Sequence, residues 1–258
     1  MKKLIQIWIL GPENFQASHV FNSNAFPSHV AGLVISCTEI LSVFSFSVNQ
    51  VEPNIERYKE KFLRELQGNK ALVAYTPDPN KPSVFMYKNT GILADLYLVL
   101  SSMKSFLDVY AQLISKLIDP KAKIQGFNEA KVDGEGTKGG RLINWLIGAS
   151  PSTYIKSKEL ASVIKDNSIS WMNEAINWRD NIGHHGEIPN LHSMMIPPQS
   201  KPSEVEINHI ILPRMPNGRD VMTYCEETRR NLYKFIRETF KLLPDIKSSL
   251  IDLEAINK

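Results

Sequence analysis

The sequence predicts an all-α protein, a bundle of helices carrying small β-hairpin insertions. Three observations predict it. Three long segments repeat apolar residues at steps of three and four. The strand-like pieces are few, short and set around proline-rich turns. Hydrophobic residues make up 43% and charged residues 22% of the 258 residues, which suits a packed core and excludes wholesale disorder.

Taken in order, His29–Val48 and Ile55–Leu66 are short helix candidates. The first is rich in Val, Ile and Phe and leaves a strand open as an alternative. Ala71–Thr76 and Ser83–Lys88 flank Pro77-Asp78-Pro79-Asn80-Lys81-Pro82 and read as a hairpin. Gly91 to Asp119 forms the clearest helix, with Leu93, Leu96, Leu100, Met103, Leu107, Tyr110, Ile114 and Leu117 in one stripe. Leu98, Val99, Phe106, Leu113 and Ile118 widen that stripe, as in a helix buried on more than one side, and Pro120 stops it.

Asp119–Gly140 is polar and glycine-rich and reads as a surface loop. Arg141–Ala149 is a short helix. Ser157 to about Asp180 is the second long one, its stripe running Leu160, Ile164, Asn167, Trp171, Ala175 and Trp178. Asp166-Asn167-Ser168 is a place where it divides, because all three residues cap helices better than they continue them. Leu191–Ile196 and Glu204–Leu212 flank a second proline-rich turn and predict a second hairpin. Asp220 is a plausible N-cap for the third long helix, which runs to Leu243 before Pro244. The whole reads as a single domain over 1–258. Its core covers about 91–243, with an N-terminal extension over 1–90 and a hairpin insertion at about 187–218.

Thirty Lys and Arg against 27 Asp and Glu leave a net charge of +3, too small a surplus for a polybasic nucleic-acid binder. Any such site has to be local. Cys37 and Cys225 are too few for a four-thiolate zinc site or a disulfide framework and read as free buried thiols in a reducing compartment. The apolar start, Leu4 to Leu10, is short, contains Gln6 and has no small-residue cleavage site. Ile92–Leu100 carries Asp95 and is too short to span a bilayer. The expectation is a cytoplasmic protein without a membrane partner.

One stretch carries potential chemistry, Asn177-Trp178-Arg179-Asp180-Asn181-Ile182-Gly183-His184-His185-Gly186-Glu187. An arginine is followed by an acid and, after four intervening residues, by a histidine, at the end of an amphipathic helix. Arginine is a permanent planar cation matched to phosphate oxygens. Histidine titrates near neutrality and transfers protons in either direction. Cleavage of RNA through its own 2′-hydroxyl needs a base, an acid and a cation against the phosphorane. These residue types supply them.

The motif resembles that of the HEPN superfamily (higher eukaryotes and prokaryotes nucleotide-binding). Its members are up-and-down helical bundles, and many are metal-independent endoribonucleases. Their signature is arginine, a polar residue, and histidine after four to six intervening positions. Arg179, Asp180 and His184 match it, and His185 also falls within the spacing. The resemblance covers about Gly91 to Leu243. It implies a homodimer with two motifs facing each other, RNA or a nucleotide as ligand, no cofactor, and a toxin or defence role with a possible antitoxin partner. His184 is then the acid–base, Arg179 the phosphate anchor, Asp180 an orienting residue and His185 a reserve. The chain departs from the family in setting residues 187–218 between the motif and the next helix.

The same residues have a plain structural alternative. Arg179 pairs with Asp180 or Glu174, Gly183 or Gly186 is a helix C-cap, and the histidines meet the helix macrodipole. His184, His185 and His192 do not form a recognisable metal-ligand set. Asp133 to Gly140 lacks the Gly-Lys-Ser/Thr ending of a phosphate loop. Trp178 and Ile182 are candidates for apolar contact across a dimer. Arg229, Arg230, Lys234 and Arg237 read as a solvated basic face interleaved with acids.

Overall fold

The structure, a computed structural model, describes residues 26–67, 73–75, 84–88, 90–148, 154–185, 193–195 and 206–243. These residues are predominantly helical, with two small antiparallel sheets. The prolines proposed as hairpin turns, at 77–82 and 197–202, lie outside them.

A 3-10 turn at Ser28–Val30 leads into α1, Ala31–Gln67. The two short helices expected here are one. Val34, Cys37, Leu41, Phe44, Val48, Val51, Ile55, Phe62 and Leu66 are all buried; their spacing is three and four as far as Ile55, and Phe62, two turns on, stays on the same face. Pro53 sits inside the helix on an exposed position. It removes one backbone donor, and burial of the continuous stripe offsets that loss. The same burial overrides the strand preference of Val, Ile and Phe, which is a weak prior. Buried hydroxyls are satisfied locally, Thr38 donating to the Val34 carbonyl and Ser45 to that of Leu41, each at 2.8 Å. By length and composition this helix, rather than Ile92–Leu100, is apolar enough to cross a membrane. A core helix with a buried stripe meets the same description.

Strands β1 (Val73–Tyr75) and β2 (Val84–Lys88) pair antiparallel, Val73 opposite Met86 and Tyr75 opposite Val84. Helix α2, Thr90–Ile118, matches the expected span and is buried on several sides, from Ile92 and Leu96 to Leu113 and Ile114. The segment after it departs from the expected loop. β3 (Ala130–Val132) and β4 (Glu135–Thr137) form a hairpin. Its two turn residues, Asp133 and Gly134, have φ of 51° and 90°. Asp-Gly is a strong two-residue hairpin signal, because both positions need positive φ. Asp108 of α2 anchors the segment by accepting from the Phe127 N–H at 2.7 Å and from Lys104.

Helix α3 spans Gly140–Gly148 and α4 spans Ser157–Asn167. α4 ends at Asn167, where a division was expected, but without a capped break. A π-helical turn, Ser168–Met172, carries the chain directly into α5, Asn173–His185. Asn167 is held there as a helical residue, donating to the Val163 carbonyl at 2.9 Å and accepting from the Trp171 indole at 3.0 Å. Its side-chain amide thus bonds to its own helix instead of capping a new one.

The second expected hairpin is also corrected. β5, Ser193–Met195, pairs with β2, Met86 opposite Met195, to complete a sheet of order β1-β2-β5. Its presumed partner carries a 3-10 turn, Ile207–His209. A strand joins whichever edge offers unpaired backbone groups, and β2 presented one. Helix α6 covers Val221–Phe240. Asp220 caps it, accepting the Thr223 N–H at 2.9 Å and the Thr223 hydroxyl at 2.7 Å.

The chain divides into two units. The first comprises Met1–Phe46, Leu100–Asn177 and Thr228–Lys258. Its buried centre includes Tyr110, which stacks on Phe106 with ring centroids 5.2 Å apart, meets Phe235 edge-on at 5.8 Å and hydrogen-bonds Thr239 at 2.6 Å. Tyr233 bonds Ser45 in the same unit. The second unit comprises Ser47–Val99 and Trp178–Glu227. Its core gathers Val51, Ile55, Phe62, Leu96, Val221 and Cys225 with the β1-β2-β5 sheet beside them in sequence.

Candidate functional site

Arg179, Asp180 and His184 all belong to the second unit, on the last turns of α5. The helix continues through His185, so Gly183 is an interior helical residue and not a cap. The side chain of His185, with Gly186 and His192, falls outside the described residues. His184 is exposed.

Arg179 donates through Nη1 to Asp180 Oδ1 at 2.8 Å, with about a third of each side chain exposed (34% and 32%). The pairing named in the structural alternative is therefore formed, to Asp180. It occupies one face of the guanidinium. Arg179 Nε is buried and meets no hydrogen-bond partner among the described residues, as is Trp178 Nε1.

Helical geometry separates the motif. Successive residues turn about 100° around the axis, so Arg179 and His184, five apart, leave α5 about 140° from one another. The two side chains therefore leave α5 from different faces. Asp180 and His184, four apart, share a face. Arg179 instead shares its face with Ile182 and Gly183, and those two line a groove with Thr90, Leu93, Ala94 and Tyr97 of α2. The groove has a volume of about 350 Å³. Tyr97 is 37% exposed. A Cβ built on Gly183 would lie 3.5 Å from Tyr97 Cε2 and 3.6 Å from its hydroxyl oxygen, so the ring rests its hydroxyl end against the glycine. Ile182 is buried and Trp178 half-buried.

Sequence reasoning missed Tyr97. It stands beside the apolar stripe of α2 among aliphatic residues, and an aromatic off the buried face was the available signal. It also missed Asp95, which accepts from Asn54 Nδ2 and from the Tyr58 hydroxyl, each at 3.0 Å. Burial raises the Asp95 carboxyl above its ordinary range although both hydrogen bonds oppose the shift. The Tyr58 phenol is pushed up to about 12 by burial and by its bond to Asp95. This cluster ties α1 to α2 inside the second unit.

The cysteines are free and buried. Burial pushes the Cys37 thiol up to about 12 and raises Cys225 as well, which keeps both protonated and poor as nucleophiles. On α6, Glu227 pairs with Arg219 at 2.9 Å and Lys234 lies 3.8 Å from Glu238, in keeping with a solvated mixed face. Among the described residues no group of three His, Cys, Asp or Glu is arranged to hold a metal ion.

The known protein-family models, curated proteins and solved structures compared with this chain do not match it.

Proposed function

We propose that this chain is a HEPN-like, metal-independent endoribonuclease that acts as a homodimer in the cytoplasm, in a toxin or defence role that an antitoxin protein would restrain. One observation carries the reading: an exposed histidine and a partly exposed arginine stand on the last turns of one helix, five residues apart. An imidazole takes the proton from the ribose 2′-hydroxyl. The 2′-oxygen then bonds to phosphorus, and the bond to the 5′-oxygen breaks as the imidazolium just formed gives its proton to that oxygen. The products are a 2′,3′-cyclic phosphate and a 5′-hydroxyl. Arg179 stabilises the charge on the phosphorane, an electrostatic role that needs a fixed cation.

The 140° separation supports the dimer. A phosphate on Arg179 is out of line with His184 of the same helix, whereas a twofold axis brings a second His184 opposite the first Arg179 without further sequence.

The experiment is to incubate the purified chain with RNA in excess chelator. Cleavage to cyclic-phosphate ends is expected to persist. His184→Ala should lower the rate on the order of 10²-fold or more while the exposed position leaves folding intact. Mixing wild-type subunits with Arg179→Ala/His184→Ala subunits should make activity fall roughly as the square of the wild-type fraction. Loss of all cleavage with chelator, or a linear decline on mixing, refutes the metal-free or the composite form respectively.

The Arg179–Asp180 pair favours a second reading, a non-catalytic module that binds RNA or a nucleotide through these residues. Binding without cleavage would identify it. A helical interaction protein, in which the motif has only a structural role, would show neither.

A further inference from the structure

We propose that the groove between the first turns of α2 and the end of α5 seats a single RNA nucleobase against Tyr97, with the attached phosphate on Arg179. The proposal rests on the ribonucleotide reading above and names the subsite that reading lacks. Four observations lead to it.

The first is shape. A volume of about 350 Å³ falls at the small end of the roughly 300–1,000 Å³ that ligand sites occupy, which suits one base rather than a peptide segment. The second is the absence of a side chain at Gly183. With no side chain at Gly183, α5 stays low beside the hydroxyl end of Tyr97, whose nearest atoms lie 3.5–3.9 Å from where a Cβ would be.

The third is the lining. Leu93, Ala94 and Ile182 form an apolar floor, and a half-exposed aromatic forms the wall. A nucleobase is a flat apolar face with polar edges, and stacking on an aromatic ring is how proteins hold unpaired bases of any sequence. The fourth is the position of the cation. Arg179 precedes Gly183 by four residues on the same helical face, about 6 Å along the axis. Base and backbone phosphate of one nucleotide are separated on that scale. The guanidinium bonds to Asp180 through Nη1 and its Nε is buried, but about a third of the side chain is exposed, which leaves the outer end of the fork for a phosphate oxygen. The opening turn of α2, whose Thr90 borders the groove, adds the favourable end of a helix dipole.

The division of the motif then acquires a purpose. Arg179 and the groove hold a nucleotide on one face of α5, and His184 on the other face serves the nucleotide held by a second copy. Tyr97 is a positioning residue in this scheme and takes no part in proton transfer.

The test uses the full chain carrying His184→Ala, so that RNA stays intact. Fluorescence anisotropy measures binding of a short single-stranded oligoribonucleotide and of the same oligomer made abasic. Tyr97→Ala and Tyr97→Leu should each weaken binding of the normal oligomer about tenfold, and Tyr97→Phe should bind as the parent does. The Leu variant keeps the packing without the aromatic face. Neither variant should change the weaker binding of the abasic oligomer, and Arg179→Ala should weaken both. If the Tyr97 variants bind the normal oligomer like the parent while Arg179→Ala loses it, the base platform is wrong and the ribonucleotide reading stands. If Arg179→Ala binds like the parent, the subsite is wrong in its anchor. If the parent chain binds no RNA and the wild type cleaves none, the functional reading fails and takes the subsite with it.

Discussion

Arg179 carries its own counter-ion: Asp180, the next residue in the chain, accepts from its guanidinium at 2.8 Å. With about a third of each side chain in contact with solvent, the pair is weak, worth about 0.2–1 kcal/mol at such exposure. A phosphate can therefore compete for Arg179. Asp180→Asn is expected to tighten RNA binding by about two- to fivefold at low salt, with the gain fading as salt is raised. Anisotropy titrations at two ionic strengths check it. A loss of affinity would mean that Asp180 positions the guanidinium for its ligand.

The buried bond between Tyr110 and Thr239, 2.6 Å long, predicts unequal costs for removing its two partners. The Thr239 hydroxyl already donates to the Phe235 and Ile236 carbonyls, so the phenol donates to Thr239. Tyr110→Phe leaves the threonine satisfied and should cost about 1 kcal/mol. Thr239→Val strands a fully buried phenol and should cost about 1–3 kcal/mol, with the double variant less destabilised than the sum. Denaturant unfolding of the three variants measures the order.

Gly140 begins α3 where a side chain has no room. A Cβ there would lie 2.8 Å from the Ala130 nitrogen and 2.9 Å from its carbonyl carbon, and backbone cannot turn aside as a flexible side chain does. Gly140→Ala should destabilise by about 1–3 kcal/mol. Gly148, at the other end of α3, meets nothing within 4 Å. Gly148→Ala should be neutral or stabilising by up to about 1 kcal/mol. Equal thermal midpoints for the two variants would refute the packing argument.

At Asp220 burial raises the carboxyl pKa, but hydrogen bonds from the Thr223 N–H and hydroxyl together with the backbone N–H groups of Met222 and Asp220 oppose it, and the net shift is downward. A carboxyl whose folded value lies below its unfolded one contributes stability above the unfolded value, and that contribution is lost as pH falls through the folded value. Asp220→Ala should cost about 1 kcal/mol at pH 7 as a lost N-cap. The difference from wild type should shrink below about pH 4, the ordinary range of an aspartate. Asp220→Asn keeps an acceptor for Thr223 and should show a flatter acid limb. Unfolding curves at pH 7 and pH 3 decide between these outcomes.

What the sequence by itself determined is local. The stripe from Leu93 to Ile114 and the stop at Pro120 define α2, and Asp220 ahead of the Val221–Leu232 spacing defines the start of α6, because periodicity and capping act within a few residues. The turn at Asp133-Gly134 is equally local, a two-residue hairpin signal inside a stretch whose overall composition is that of a polar loop. The motif residues were legible as types, Arg179, Asp180 and His184, though not as directions. Only the tertiary structure decided the rest. Pro53 stays inside α1 because the buried stripe on either side of it is continuous, and propensity alone cannot weigh a lost hydrogen bond against buried side chains. β5 joins β2 because an unpaired strand edge attracts any strand within reach, whatever its distance in sequence. Asn167 continues its helix through a π turn since the Trp171 indole and the Val163 carbonyl take up its amide. The continuous helix that results sets Arg179 on the side of α5 that carries Ile182 and Gly183 and His184 about 140° from it, since a helix that runs through the motif must spread residues five apart around its axis.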